Sequence, residues 1–98
     1  MAVLQVTPET LRQKATDVRT YKGEHDDVIA KLKTLVNGLN ETWKGEAQDA
    51  FLAKFESMQS TFTNFSEMLE GYAKLMDAHA TRMEQAQQES VTQINNFG

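Results

Sequence analysis

The residues of this chain that could hold a metal ion or move a proton are two histidines and one acidic run. His25 stands within the run Glu24–Asp27, and His79 lies in the second half of the chain. A second ligand on a helix would come four residues later, but these positions are Ile29 and Met83. Consecutive residues also fan out around a helix, so the acidic run cannot converge on one ion. The pattern predicts a solvated acidic face and no metal site.

Catalytic arrangements are equally hard to build from these residues. The chain has no cysteine, which excludes thiol nucleophiles, thiolate metal ligands and disulfides. No Ser-His-Asp set, glycine-rich phosphate loop or pair of carboxylates in a cleft is indicated. We therefore predict a protein that is not an enzyme and uses no cofactor.

Both histidines coincide with apolar stripes of the sequence, and this leaves two interpretations open. The first is a heptad position at a partly hydrated seam. The second is a pH switch, in which acidification would charge both imidazoles and loosen the assembly. A melting temperature that does not change between neutral and acidic pH would exclude the switch.

Composition points to a few long helices. The chain has 98 residues, 40% of them hydrophobic, with one proline and five glycines. Residues 1–45 carry seven Lys/Arg and six Asp/Glu, whereas residues 46–98 carry three and eight. The halves are therefore complementary in charge, which suits side-by-side packing, and no basic patch indicates nucleic acid. Two helices of this length have little interior, so we expect partner chains to complete the core.

The first helix is predicted over about residues 8–40. Thr7 is a suitable N-cap, Pro8 fits the first helical position, and Glu9 complements the helix dipole. Val6 and Leu11 stand at the positions of a hydrophobic staple. A seam with 4,3 spacing follows, widened by Val28 and Leu35, and its members are Leu11, Ala15, Val18, Lys22, His25, Ile29, Leu32, Val36 and Leu39.

A turn at about residues 41–45 and a second helix over about 46–83 complete the predicted hairpin. The second helix carries its own 4,3 seam, formed by Phe51, Phe55, Met58, Phe62, Phe65, Leu69, Tyr72, Met76, His79, Met83, Ala86 and Ser90. A hairpin centred near Lys44 would place Pro8 beside Ala80. The tail 84–98 would then project beyond the hairpin, and its polar composition predicts a frayed or conditionally helical segment.

The remaining feature is the tripeptide Trp43-Lys44-Gly45 at the turn between two amphipathic helices. With this motif in mid-chain, the whole sequence resembles the Trp-X-Gly (WXG) family of small ESX, or type VII, secretion substrates, the early secreted antigenic target-like proteins. The resemblance implies an all-α fold, a two-helix antiparallel hairpin that dimerises into a four-helix bundle. The partner would be a second copy or a sister WXG protein.

The resemblance also implies export from the cytoplasm by an ATPase-driven type VII machine without a cleaved signal peptide. The amino terminus agrees, since it lacks the charged and apolar regions of a leader. Trp43 and Gly45 would form part of the recognition surface. The carboxyl-terminal signal of the family is only partly met, because Ala80, Glu84 and Val91 fit a looser apolar-acid-apolar pattern and Gln87 does not.

These features predict a secreted substrate, effector or adaptor that acts as a dimer through protein contacts. One alternative is a membrane-active effector that inserts its phenylalanine-rich stripe into bilayers. A second alternative is a cytosolic helical chaperone that delivers a larger toxin to the same machine.

Overall fold

The computed structural model describes the backbone of residues 6–96 and the side chains of residues 6–39 and 41–90. Helix α1 spans Pro8–Gly38 and ends in a single 3-10 turn, Leu39–Glu41. Helix α2 spans Glu46–Ser57, and helix α3 spans Gln59–Asn96. Within the described residues no strand is present. Helix α1 forms one arm of an antiparallel hairpin, and α2 and α3 together form the other.

The first helix begins as its sequence predicts. The hydroxyl oxygen of Thr7 accepts a hydrogen bond from the Thr10 amide at 3.1 Å, and the Thr7 carbonyl accepts one from the Leu11 amide at 3.0 Å. Pro8 occupies the first turn, where its missing N–H leaves no bond unmade. These bonds satisfy amides that a helix start would otherwise leave free.

The turn depends on an unusual backbone conformation at Gly45. The amides of Thr42 and Trp43 both bond to the Leu39 carbonyl, which closes the first arm. Gly45 then takes φ 125° and ψ −173°, and its carbonyl accepts the first helical bond of α2 from the Asp49 amide at 3.1 Å. That region of backbone space is essentially restricted to glycine. The turn therefore requires glycine at position 45.

The second arm is broken at Met58, where the sequence predicts one uninterrupted helix. The Met58 amide bonds to the Phe55 carbonyl, three residues back, at 3.0 Å. Beside it, the Ser57 hydroxyl donates to the Lys54 carbonyl at 2.6 Å. Serine hydroxyls that bond back to the preceding turn compete with backbone amides and bend helices. The Ser57 bond accompanies the break, at a place where neither proline nor glycine stands.

The core is the contact between the two arms, and small residues occupy much of it. Ala15, Ala73 and Ala80 are completely buried, Val36 nearly so, and Phe55 is 8% exposed. Alanine lets two helix backbones approach closely. Near the turn, where larger side chains meet, the rings of Phe55 and Phe62 lie 6.0 Å apart between centroids.

The register of the two arms differs from that of a hairpin centred on Lys44. Each residue of the first arm lies beside a residue of the second arm about one helical turn later in the sequence than that hairpin predicts. Arg12 contacts Thr81 and Glu84, and a cavity at the open end is lined by residues 6–9 together with Met83 and Gln87. Residues 42–45 are not helical. The hairpin therefore extends to Gln87, and α3 continues beyond it through Asn96.

Candidate docking and recognition surfaces

The seam predicted on the second arm is divided by the structure into two faces. Phe55, Phe62, Leu69 and Met76 point toward α1 and are buried or half-buried. The alternate members are exposed: Phe51, Met58, Phe65 and Tyr72, and also His79. The side facing α1 is completed by residues that the apolar pattern missed, namely Gln48, Leu52, Gln59, Ser66, Ala73 and Ala80. Small and polar residues carry little hydrophobic signal, although their seven-residue recurrence at 66, 73 and 80 could have revealed them.

The exposed members belong to one continuous surface, which we call the apolar flank. Helix α1 contributes Tyr21, Val28 and Leu35, which recur every seven residues, together with Leu32. The second arm contributes Phe51, Met58, Phe65, Met68, Tyr72 and Leu75. His25 and Phe65 contact each other across the arms, with ring centroids 5.0 Å apart, so both sets lie on the same side of the hairpin. The flank extends from the turn to Tyr21 on the first arm and to Leu75 on the second, and an exposed apolar surface of this extent is typical of an interaction site.

The opposite edge of the hairpin, the charged flank, is closed by ion pairs between the arms. Arg19 donates to Asp77 at 2.8 Å and lies 3.4 Å from a Glu70 oxygen, and these carboxylates raise its pKa. Arg12 pairs with Glu84 near the open end. These groups are substantially exposed, so each ion pair contributes little stability. Together the pairs make this edge of the hairpin charged, and its charges are already paired within the chain. The two flanks therefore differ in kind.

Trp43 sits on the turn in a half-exposed position. Its indole is tilted against the Phe51 ring, with centroids 5.8 Å apart and 55° between planes, and 38% of the residue remains exposed. Trp43 thus covers the end of α2 and still presents an amphipathic surface to solvent. We call Trp43, Gly45 and Phe51 the turn site, and it is continuous with the apolar flank through Phe51.

Replacing Gly45 with alanine should destabilise the protein by about 1–3 kcal/mol, because the φ of 125° is unfavourable for any residue with a Cβ. Crowding is not the reason, since an added Cβ at Gly45 would have no atom within 4 Å. Gly23→Ala is the matched control. Its site is equally open but helical, and the change should stabilise by about 1 kcal/mol. Urea unfolding of both variants measures the difference, and equal stabilities would contradict the backbone argument.

A polar layer interrupts the core between the arms at mid-height. An open cavity of about 320 Å³ is lined by Lys22, His25, Asp26, Ile29, Gln59, Phe62, Thr63, Ser66 and Glu67. Hydrogen bonds from Ser66, His25 and Lys22, in that order of effect, lower the pKa of the Asp26 carboxyl to about 2. Ser66 is buried, and the side-chain nitrogen of Gln59 is shielded from solvent without a hydrogen-bond partner in the described part of the chain. The layer is polar where a bundle core would normally be dry.

No cluster of three or more His, Cys, Asp or Glu that could hold a metal ion occurs among the described residues. No described helix is both long and apolar enough to cross a membrane.

A WXG turn that joins two long amphipathic arms is also a feature by which a protein family can be recognised. The WXG100 family, described as proteins of 100 residues with WXG, matches residues 3–88. The chain belongs to the WXG100 family.

Relatives of this WXG100 chain come from several bacteria. An uncharacterised protein of Clostridium acetobutylicum is 31% identical over 80 residues, 82% of this chain and 83% of that protein. The type VII secretion system extracellular protein A of Staphylococcus aureus is 21% identical over 98 residues, 100% of this chain and 98% of that protein. The crystal structure of a mutant of EsxB, a secreted protein of Bacillus anthracis, superposes with a TM-score of 0.78 at 27% identity and covers 87% of this chain and 98% of that chain.

The remaining predicted recognition residues of the WXG100 hairpin lie at its open end. Glu84 is half-exposed and paired with Arg12, so the hairpin itself engages this carboxylate. Val91 lies on the helical continuation of α3, and its side chain is outside the described residues, as are residues 97–98 of the tail. The backbone is helical through Asn96. The conditional helicity of this segment remains a prediction.

Proposed function

We propose that this WXG100 protein is a substrate of a type VII secretion system, leaves the cytoplasm without removal of a leader, and acts as a dimer through protein contacts, without catalysis. The observation that carries the proposal is the WXG turn itself. Its Trp43 is half-exposed, and its backbone conformation requires the glycine at position 45. The family match and the secreted relatives support it.

The apolar flank supports the dimer. Leu35 is 62% exposed and Leu75 is 63% exposed, and a lone hairpin would leave both in water. Burying the flank against a second copy or a sister WXG protein would form a four-helix bundle, which removes this apolar area from water. We propose the second copy as the partner, with the turn sites at opposite ends of the bundle. Trp43 and Gly45, together with Glu84 and Val91 in the partner's tail, would then face the secretion ATPase.

A second candidate function is favoured by the same flank. Its phenylalanine, methionine and leucine side chains would also suit a membrane-active effector that opens after export. The acidic second arm opposes binding to anionic lipid surfaces, so we place this function after the first. The chaperone role with a larger toxin has no separate structural support.

Export can be tested by expressing the chain in a host with a functional type VII system and in a strain that lacks its ATPase. The protein should accumulate in the medium of the first strain only, with the mass of the complete chain. A cytoplasmic marker protein in both media controls for lysis. Equal amounts outside the two strains would refute the proposal, and a shortened amino terminus would refute export without cleavage.

A further inference from the structure

The break in the second arm and the polar layer between the arms occur at the same height of the hairpin. Gln59, the first residue of α3, follows Met58 directly and lines the cavity. The hydrogen bond of the Ser57 hydroxyl accompanies the break, whereas the layer consists of polar side chains on both helices. Their coincidence means that the arm is weakest where its packing is also least apolar.

The buried amide of Gln59 shows that this layer is incompletely satisfied by protein. Its side-chain nitrogen is shielded and unpaired within the described residues, while the carboxylates of Asp26 and Glu67 line the same cavity. A buried donor without a partner is unfavourable, and water that bridges polar groups removes the deficit. The cavity is polar and large enough to hold such water.

We propose that the polar layer is a water-filled hinge at Met58, about which α2 and the turn site move as one unit against the paired helices α1 and α3. On the turn side of the hinge, few side chains hold α2 to α1: Val36, Gln48 and Phe55 are the buried residues there. On the other side, Ala15, Ala73 and Ala80 are fully buried, and inter-arm ion pairs add to the contact. The segment 42–57 is therefore a separate unit of local stability.

The hinge has a consequence for the turn site. Lys44 lies fourteen residues before Met58, roughly 20 Å along the arm, so a swing of about 10° displaces the turn by roughly 3–4 Å. Such a movement changes the angle at which Trp43 is presented while the long helices stay paired. Its value for docking rests on the proposed role of the turn site in secretion.

Amide hydrogen exchange on the purified full-length chain tests the hinge. Amides of α2 should exchange roughly tenfold faster than those of residues 66–80, with the step in protection at residues 58–61. Gln59→Leu should dry the layer and slow exchange in α2 by roughly tenfold, while residues 66–80 change little. Gln13→Leu makes the same chemical change at an exposed position of α1 and should leave α2 unaffected.

A second variant addresses the break itself. Ser57→Ala removes the hydroxyl bond to the Lys54 carbonyl and should also slow exchange in α2, whereas Ser60→Ala, at an exposed position, should not. Uniform protection along the wild-type arm would overturn the hinge. Exchange in α2 that neither Gln59→Leu nor Ser57→Ala alters would overturn it as well. These measurements involve no secretion, so a failed hinge leaves the export proposal standing, and a failed export experiment leaves the hinge standing.

Discussion

Trp43→Ala should reduce the protein in the culture medium by at least roughly tenfold while the hairpin remains folded. Trp43 lies outside the helices, and its described ring contact is with Phe51, so its loss removes little from the core. A half-exposed indole that is already held by a neighbouring ring can bind a partner with little loss of side-chain freedom. The amount outside the cells, measured by immunoblot, is compared with helical content from circular dichroism.

Two controls make the tryptophan experiment specific. Thr42→Ala alters the neighbouring exposed residue, whose described hydrogen bond is made by the backbone, and should leave export unchanged. Trp43→Phe keeps a ring against Phe51 but removes the indole N–H, so it separates the role of ring contact from that of hydrogen bonding. Export of a folded Trp43→Ala protein at the wild-type level would remove Trp43 from the recognition surface.

Tyr72→Glu should convert the dimer into monomers, raising its dissociation constant by at least roughly a hundredfold. Tyr72 belongs to the apolar flank, toward the end of the flank that lies far from the turn, and is 52% exposed in the isolated hairpin. A charge there costs the single hairpin little, but in a dimer interface it would be buried without a partner. Light scattering at micromolar concentration measures the mass directly.

Ser60→Glu is the matched control for the flank, because it adds one negative charge to the same helix at an exposed position away from the apolar stripe. It should leave the dimer mass unchanged. A wild-type monomer would refute the second copy as the partner of the flank. A dimer that tolerates Tyr72→Glu as well as it tolerates Ser60→Glu would place the interface elsewhere.

The ends of the elements were the most predictable part of this fold. Thr7 and Pro8 predict the start of the first helix, and the glycine of the WXG turn predicts the reversal of chain direction. Both signals depend only on neighbouring residues. The register was less predictable, because the link at residues 42–45 is not helical and helical spacing therefore does not fix where the second arm begins. The break at Met58 was not predicted, because serine hydroxyls in a helix do not always bond to the backbone as the Ser57 hydroxyl does here.

The division of the second arm into two faces could not be predicted from apolar spacing alone. Phe62 and Phe65 carry the same hydrophobic signal, yet the first faces α1 and the second mostly faces solvent. Which face of the second arm points toward α1 is set by Ser66, Ala73 and Ala80, because their small side chains fit in the contact between the arms, where they are buried. The polar layer around Gln59 was not predicted either, because polar side chains carry no hydrophobic signal, and the recognition role of Trp43 and Gly45 remains a prediction from their motif.

The difference between the two flanks also limits how far the protein can assemble. A hairpin that was adhesive on both edges could add copies without end and grow into a filament, as head-to-tail contacts do when the rotation between them does not close. Here one edge is occupied by ion pairs between the chain's own arms, which leaves the apolar flank as the adhesive one. When two such flanks meet around a two-fold axis, each covers the other and no adhesive surface is left over. In the proposed dimer, growth would therefore stop at two chains.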